Sequence, residues 1–116
     1  IREAIRVFIG AMVDLHERDR GLHRVLFEES PLPRRIRNKI ADMEERVTER
    51  VERLLRADPS VRVPDPALAA AMVVHTIEAL THKPVIHGGW AADRSAYVEE
   101  VARLVESYLT SSPRGS

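Results

Sequence analysis

Apolar residues recur at steps of four, three, four and three near the start of the chain: Ile1, Ile5, Phe8, Met12 and Leu15, with Ile9 and Val13 beside them. That spacing places them on one helical face and predicts a helix over residues 1–19, with Gly21 as its stop. Leu22, Val25 and Leu26 share a face, next to Phe27, and predict a short second helix over residues 22–29. Ser30-Pro31-Leu32-Pro33 ends it, because proline disfavours helix in the residue before it. A third, long helix is expected over residues 33–57, with Pro33 at its first position. Its apolar stripe is narrow: Ile36, Ile40, Met43, Val47, Val51 and Leu54. Asp42 with Arg46, Glu49 with Arg53, and Glu52 with Arg56 are acid-before-base pairs four residues apart, each worth about 0.2–0.5 kcal/mol on an exposed helix. Such a helix lies on the outside and touches the core along one seam.

The fourth helix has a different pattern. Asp65 is placed to cap it and Pro66 to open it. Across residues 67–80, Leu68, Ala69, Ala70, Ala71, Met72, Val73, Val74, Ile77, Ala79 and Leu80 leave almost no polar face. A helix apolar all round has to be covered on more than one side. One small bundle has little with which to do that, whereas a second copy of the chain would supply it. Pro84 is expected to end or kink this helix, and Gly88-Gly89 to break the chain. A fifth helix is expected over residues 93–109, with Tyr97, Val98, Val101, Leu104, Val105, Tyr108 and Leu109 as a wide apolar face. With no strand pattern and no repeats, the chain reads as an all-α five-helix bundle.

Composition narrows what such a bundle does. A length of 116 residues fits one domain. Residues 1–109 form the expected domain, and 110–116 a polar tail. The chain opens on Ile1 in a sequence already helical and uncapped, so a preceding segment is expected. Lys plus Arg equals Asp plus Glu, 18 each, which leaves no overall bias toward phosphate backbones or anionic membranes. The absence of cysteine excludes disulfides, thiolate metal sites and cysteine nucleophiles, and fits a cytoplasmic location. No apolar run approaches the roughly 20 residues that span a bilayer, so no membrane partner is expected.

Candidate chemistry is sparse. No two of His16, His23, His75, His82 and His87 stand three or four apart, the spacing that sets two metal ligands on one helical face. His16 could meet His75 across a pocket, but the ordinary role of such residues is that of hydrogen-bonded histidines between helices. No metal or cofactor is expected. There is no phosphate loop or nucleophile elbow, and most acids sit on charged faces or helix ends, so an enzyme is not expected. Glu78 stands within the apolar fourth helix, four residues before His82. It is either a polar anchor in a pocket or seam, or simply turned to water. Phe8, Met12, His16, Met43, Met72, His75 and Thr76 are the candidate lining of a pocket for a small hydrophobic or amphipathic ligand. The same residues would equally serve as plain core.

Two stretches carry a resemblance. One is Leu22-His23-Arg24-Val25-Leu26-Phe27-Glu28-Glu29-Ser30-Pro31, followed by the long charged helix. The other begins Val63-Pro64-Asp65-Pro66-Ala67-Leu68 and continues through Val74-His75 to Glu78-Ala79-Leu80-Thr81-His82. With the closing helix, they resemble the C-terminal regulatory domain of Tet-repressor-family transcriptional regulators over residues 1–109. The resemblance implies an inducer pocket between helices one, three and four, and a homodimer through the last two long helices. Val73, Val74, Ile77 and Leu80 would supply one side of the seam, and Val101, Leu104, Val105 and Tyr108 the other. It also implies that DNA is read only by an N-terminal helix-turn-helix domain preceding this chain. The alternatives from the residues alone are a helical protein-interaction module without a ligand, or a histidine-dependent metal-binding or enzymatic bundle.

Overall fold

Four helices carry most of the chain in a computed structural model that describes residues 1–18, 21, 32–88 and 93–112. They are α1 (Arg2–Arg18), α2 (Arg34–Ala57), α3 (Pro66–His87) and α4 (Arg94–Thr110), and no strand occurs among the described residues. The helix expected over residues 22–29 lies outside the described residues. The expected third, fourth and fifth helices are therefore α2, α3 and α4.

The caps follow side-chain chemistry. Asp65 Oδ1 accepts from the Leu68 backbone N–H at 3.1 Å and Pro66 opens α3, as the sequence predicts. Asp93 does the same for α4, accepting from Ala96 N–H at 3.2 Å. Pro33 stands one residue earlier than expected. It precedes α2 with extended backbone, and its carbonyl accepts from Ile36 and Arg37 N–H at 3.0 Å each. Helix α4 also runs one residue further than expected, through Thr110, whose hydroxyl donates to the Glu106 carbonyl at 2.8 Å.

Pro84 neither ends nor breaks α3, which continues to His87. A proline inside a helix lacks the N–H that would bond the carbonyl four residues back. Here that carbonyl belongs to Leu80, and the Tyr97 hydroxyl of α4 donates to it at 2.7 Å. The orphaned acceptor is thus supplied from a neighbouring helix, and the chain turns only at Gly88, whose φ of 72° favours glycine.

Helix α3 is the centre of the bundle. It packs against α1, α2 and α4, whereas α1 and α2 touch it without packing on each other, and α4 lies more on α1 than on α3. The buried side chains described on α3 are Ala69, Ala70, Val73, Val74, Ile77, Thr81, Pro84 and Val85. From α1 come Ile5, Ile9 and Val13, from α2 Val51 and Leu55, and from α4 Val101, Ala102, Val105 and Leu109. Two expected faces are corrected. On α1 the buried line runs through Ile5, Ile9, Val13 and His16, leaving Leu15 exposed and Phe8 half-buried. The reason is that α1 is wedged between α3 and α4, which rotates its covered side away from Phe8. On α2, Leu55 rather than Leu54 closes the seam, and Ile36 and Met43 are exposed, so α2 meets the core mainly through its C-terminal half.

Salt bridges set the register of α1 against α4. Arg2 holds Glu106 with two bonds, Nε–Oε2 2.8 Å and Nη2–Oε1 2.7 Å. Arg6 meets Glu99 at 2.9 Å and Glu17 meets Arg94 at 2.7 Å. The pairing order is antiparallel. Arg62 N–H donates to the Leu109 carbonyl at 2.8 Å, tying the loop before α3 to the end of α4.

Ile77 is fully buried where α3 meets its neighbours, so Ile77→Ala is expected to cost about 2–5 kcal/mol of unfolding free energy in a denaturant titration. Tyr97→Phe is expected to cost about 1 kcal/mol, because the Leu80 carbonyl loses its donor. In a Pro84→Ala background that cost should shrink, since the substituted residue regains the backbone N–H that proline lacks. Equal costs in both backgrounds would sink this account of how the helix tolerates its proline.

Candidate functional site

The candidate pocket residues separate into distinct places. Phe8 of α1 and Met43 of α2 come together. With Val47, Arg46, Glu49, Arg50 and Arg53 they line an open groove of about 440 Å³ between α1 and α2. The groove exists because those two helices rest on α3 without closing on each other. Its floor is Phe8, Met43 and Val47. Three guanidinium groups and one carboxylate line the α2 side.

Met72 and Thr76 are not in that groove. They lie across α3, and with Val73, Leu104, Val105 and Tyr108 they line a second, almost wholly apolar groove of about 220 Å³ between α3 and α4. The light packing of α4 on α3 leaves this space. Met12 packs against the core, and His75 is exposed. Residue periodicity alone groups Met72 with Phe8. It does not reveal that α3, apolar all round, faces different neighbours on its two sides.

His16 is buried at 3% exposure. Its partners are not His75 but residues further along α3. Its Nδ1 lies 3.5 Å from the Thr81 hydroxyl, which itself donates to the Ile77 carbonyl at 2.7 Å. The His82 ring stands edge-on to the His16 ring, centroids 5.2 Å apart. This is a polar packing cluster between α1 and α3, placed where apolar side chains would otherwise meet. No group of three or more metal-ligating side chains occurs among the described residues.

The residues expected in the dimer seam divide by burial. Val73, Val74, Ile77, Val101 and Val105 are 5% exposed or less and belong to the protomer's own core. Leu80 is half-buried and packs against that core. Leu104 and Tyr108 are 56% and 46% exposed, on the same groove as Met72 at 51%. Leu68, one turn before Met72 on α3, is 59% exposed. The sequence reading did not single out Leu68 for this face, although its four-residue step to Met72 and on to Thr76 is the signal that finds it.

Of the expected charge pairs on α2, Glu52–Arg56 forms at 2.8 Å. Asp42–Arg46 and Glu49–Arg53 do not form among the described residues. Exposed pairs of this kind gain little over hydration, and Arg46 and Arg53 line the groove instead. Also absent from the sequence reading are Arg50 and the spacing of Arg46, Arg50 and Arg53, four and three apart, which sets all three on one face of α2.

Glu78 is half-buried on the side of α3 that meets Glu44 of α2. Burial is the main cause that raises its carboxyl above the ordinary range; the nearby Glu44 carboxylate adds to it and His75 opposes it. The position is neither a plain solvent site nor a fully paired anchor.

The described helices leave two grooves on the surface of the bundle, one apolar with a charged wall and one almost wholly apolar, and no assembled set of reacting groups among the described residues. The chain belongs to the family of tetracyclin repressor-like C-terminal domains, whose family model matches residues 1–109. No curated protein and no solved structure matches the chain. No helix among the described residues is long and apolar enough to cross a membrane.

Because the folded state holds a proton on Glu78 more readily than the unfolded chain does, stability should fall as pH rises through the carboxylate range. Glu78→Gln removes that dependence. The variant is expected to melt higher than the parent at neutral pH, with the gap narrowing as the solution is acidified. A gap that stays constant with pH in thermal melts would exclude this role for Glu78.

Proposed function

We propose that this chain is the ligand-binding and dimerising part of a Tet-repressor-like transcriptional repressor. The observation that carries the reading is the cluster of exposed large apolar side chains, Leu68, Met72, Leu104 and Tyr108, beside the groove between α3 and α4. Contiguous apolar surface of this kind marks an interaction site. A second copy applying the same face would bury it under two-fold symmetry, each Leu104 and Tyr108 meeting the partner's α3 ridge. The buried valines beneath would hold the two helices in place rather than cross the seam.

In the same reading the ligand, a small hydrophobic or amphipathic molecule, occupies the groove between α1 and α2. Its volume lies in the range of small-molecule sites. DNA would be contacted only by a helix-turn-helix domain preceding Ile1, and the intact regulator would work in the cytoplasm. Ligand binding changes DNA affinity only if the ligand prefers one arrangement of the dimer over another.

The chain is expected to sediment as a dimer at micromolar concentration, burying more than about 1,200 Å² in total. Leu104→Asp should give a folded monomer, because Leu104 is exposed in the protomer and its loss leaves the core intact. A parent chain that sediments as a monomer would remove the dimer from the proposal and leave this face to a different protein.

A further inference from the structure

We propose that the groove between α1 and α2 takes an amphiphile with an acidic head group, a carboxylate or a phosphate on an apolar tail. The inference rests on the ligand-binding reading of that groove and adds the chemical class. Arg46, Arg50 and Arg53 form a ridge about 10 Å long along α2, from the helical rise over seven residues. Each contributes to the groove wall, and none forms a hydrogen bond or ion pair with a described residue.

Arginine pairing in this chain is mixed: Arg18, Arg34, Arg35, Arg37 and Arg62 also form no side-chain bond with a described residue, and what sets the ridge apart is its place on the wall of a groove with an apolar floor. Arg2, Arg6, Arg56, Arg94 and Arg103 all bond carboxylates. The ridge has acids within reach along its own helix, Asp42 and Glu49, and does not pair with them. Among the described residues, Glu49 is the single acid in the groove lining, against three arginines.

Phe8 faces the ridge from α1, and Met43 and Val47 lie beside the arginines on α2; none of the three side chains carries a polar group. Met43 is 57% exposed and adapts readily to irregular shapes. An arginine fork bonds a carboxylate or phosphate with two parallel hydrogen bonds. A neutral apolar ligand would leave the ridge unused, and a cationic one would be repelled by it. A protein segment laid over the groove would have to bring its own acids to satisfy three arginines. A single acidic amphiphile meets the floor and the wall together.

The test is titration of the full chain with decanoate, decyl phosphate, 1-decanol and decyltrimethylammonium, all below micelle-forming concentrations, followed by amide NMR. The acidic probes are expected to shift the amides of Phe8, Met43 and Val47, and to bind at least about tenfold tighter than decanol. Their affinity should fall with added salt. The exposed double substitution Arg46→Gln with Arg50→Gln should weaken them about tenfold and leave decanol unchanged. Whichever of decanoate and decyl phosphate binds tighter identifies the head group.

Decanol or the cationic amphiphile binding as well as the acids would overturn the acidic-head inference while keeping the groove as a ligand site. An unchanged affinity in the double variant would do the same. Shifts confined to the α3–α4 groove, or none at all, would overturn the ligand-binding reading of this groove itself.

Discussion

Everything in this bundle depends on covering α3. Its segment through Ala69, Ala70, Val73, Val74 and Ile77 is buried, yet Leu68 and Met72 on the same helix remain exposed. Three described helices are therefore arranged around one apolar rod, and they do not close completely. α1 and α2 share the rod without meeting, and α4 leans on α1 rather than down onto α3. Each shortfall opens a groove. The groove beside α4 is thus the geometric consequence of α3 having more apolar perimeter than its neighbours cover, and the groove beside α2 follows from α1 and α2 not closing on each other.

The two grooves differ because α2 and α4 differ. Helix α2 is a charged helix with one seam, so the space beside it acquires a wall of arginines. Helix α4 presents Leu104 and Tyr108 four residues apart beside α3, so the space there is apolar on both sides. The first suits a molecule with a polar end. The second suits another apolar helix face. The distinction comes from the outward residues of the flanking helices.

Much of the fold was legible in the sequence because its signals are local. Asp65-Pro66 and Asp93 fix two helix starts through capping bonds that span three residues, and the four-three periodicity locates α1 and α4. What could not be read depends on contacts between distant positions. Nothing near Pro84 announces that Tyr97 will supply the Leu80 carbonyl, so the local rule points to a stop or a bend. Nothing near His16 points to Thr81 over His75, since both stand on α3 and differ only in which side α1 approaches. The candidate pocket failed to converge for a related reason. Phe8 with Met43, and Met72 with Thr76, are each correct neighbours, but an all-apolar α3 gives a pattern reader no sign of which pair faces which flank. On α2 the local rule itself misled: acid-before-base spacing predicts three ion pairs, and the two that would draw Arg46 and Arg53 from the groove wall do not form among the described residues.

Helix α1 is the element that joins the two grooves. It contributes Phe8 to the floor of one, and it is tied to α4, which carries Leu104 and Tyr108 beside the other. The tie has two parts: apolar contact through Ile5, Ile9 and Val13, and the antiparallel series Arg2–Glu106, Arg6–Glu99 and Glu17–Arg94. Exposed ion pairs of this kind contribute little stability each, but a slip of α1 by one turn against α4 would mismatch all three at once. They act on register. For the proposed regulator this would matter more than their energy, because a ligand wedged against Phe8 would press α1 away from α2. With α1 held in register against α4, such a displacement would be carried to Leu104 and Tyr108 as a rigid shift, whereas an unregistered contact would absorb it by sliding. The coupling can be no larger than the difference in the ligand's affinity between the two positions of α1. A half-open groove with a soft methionine at its edge is the kind of site where such a difference arises.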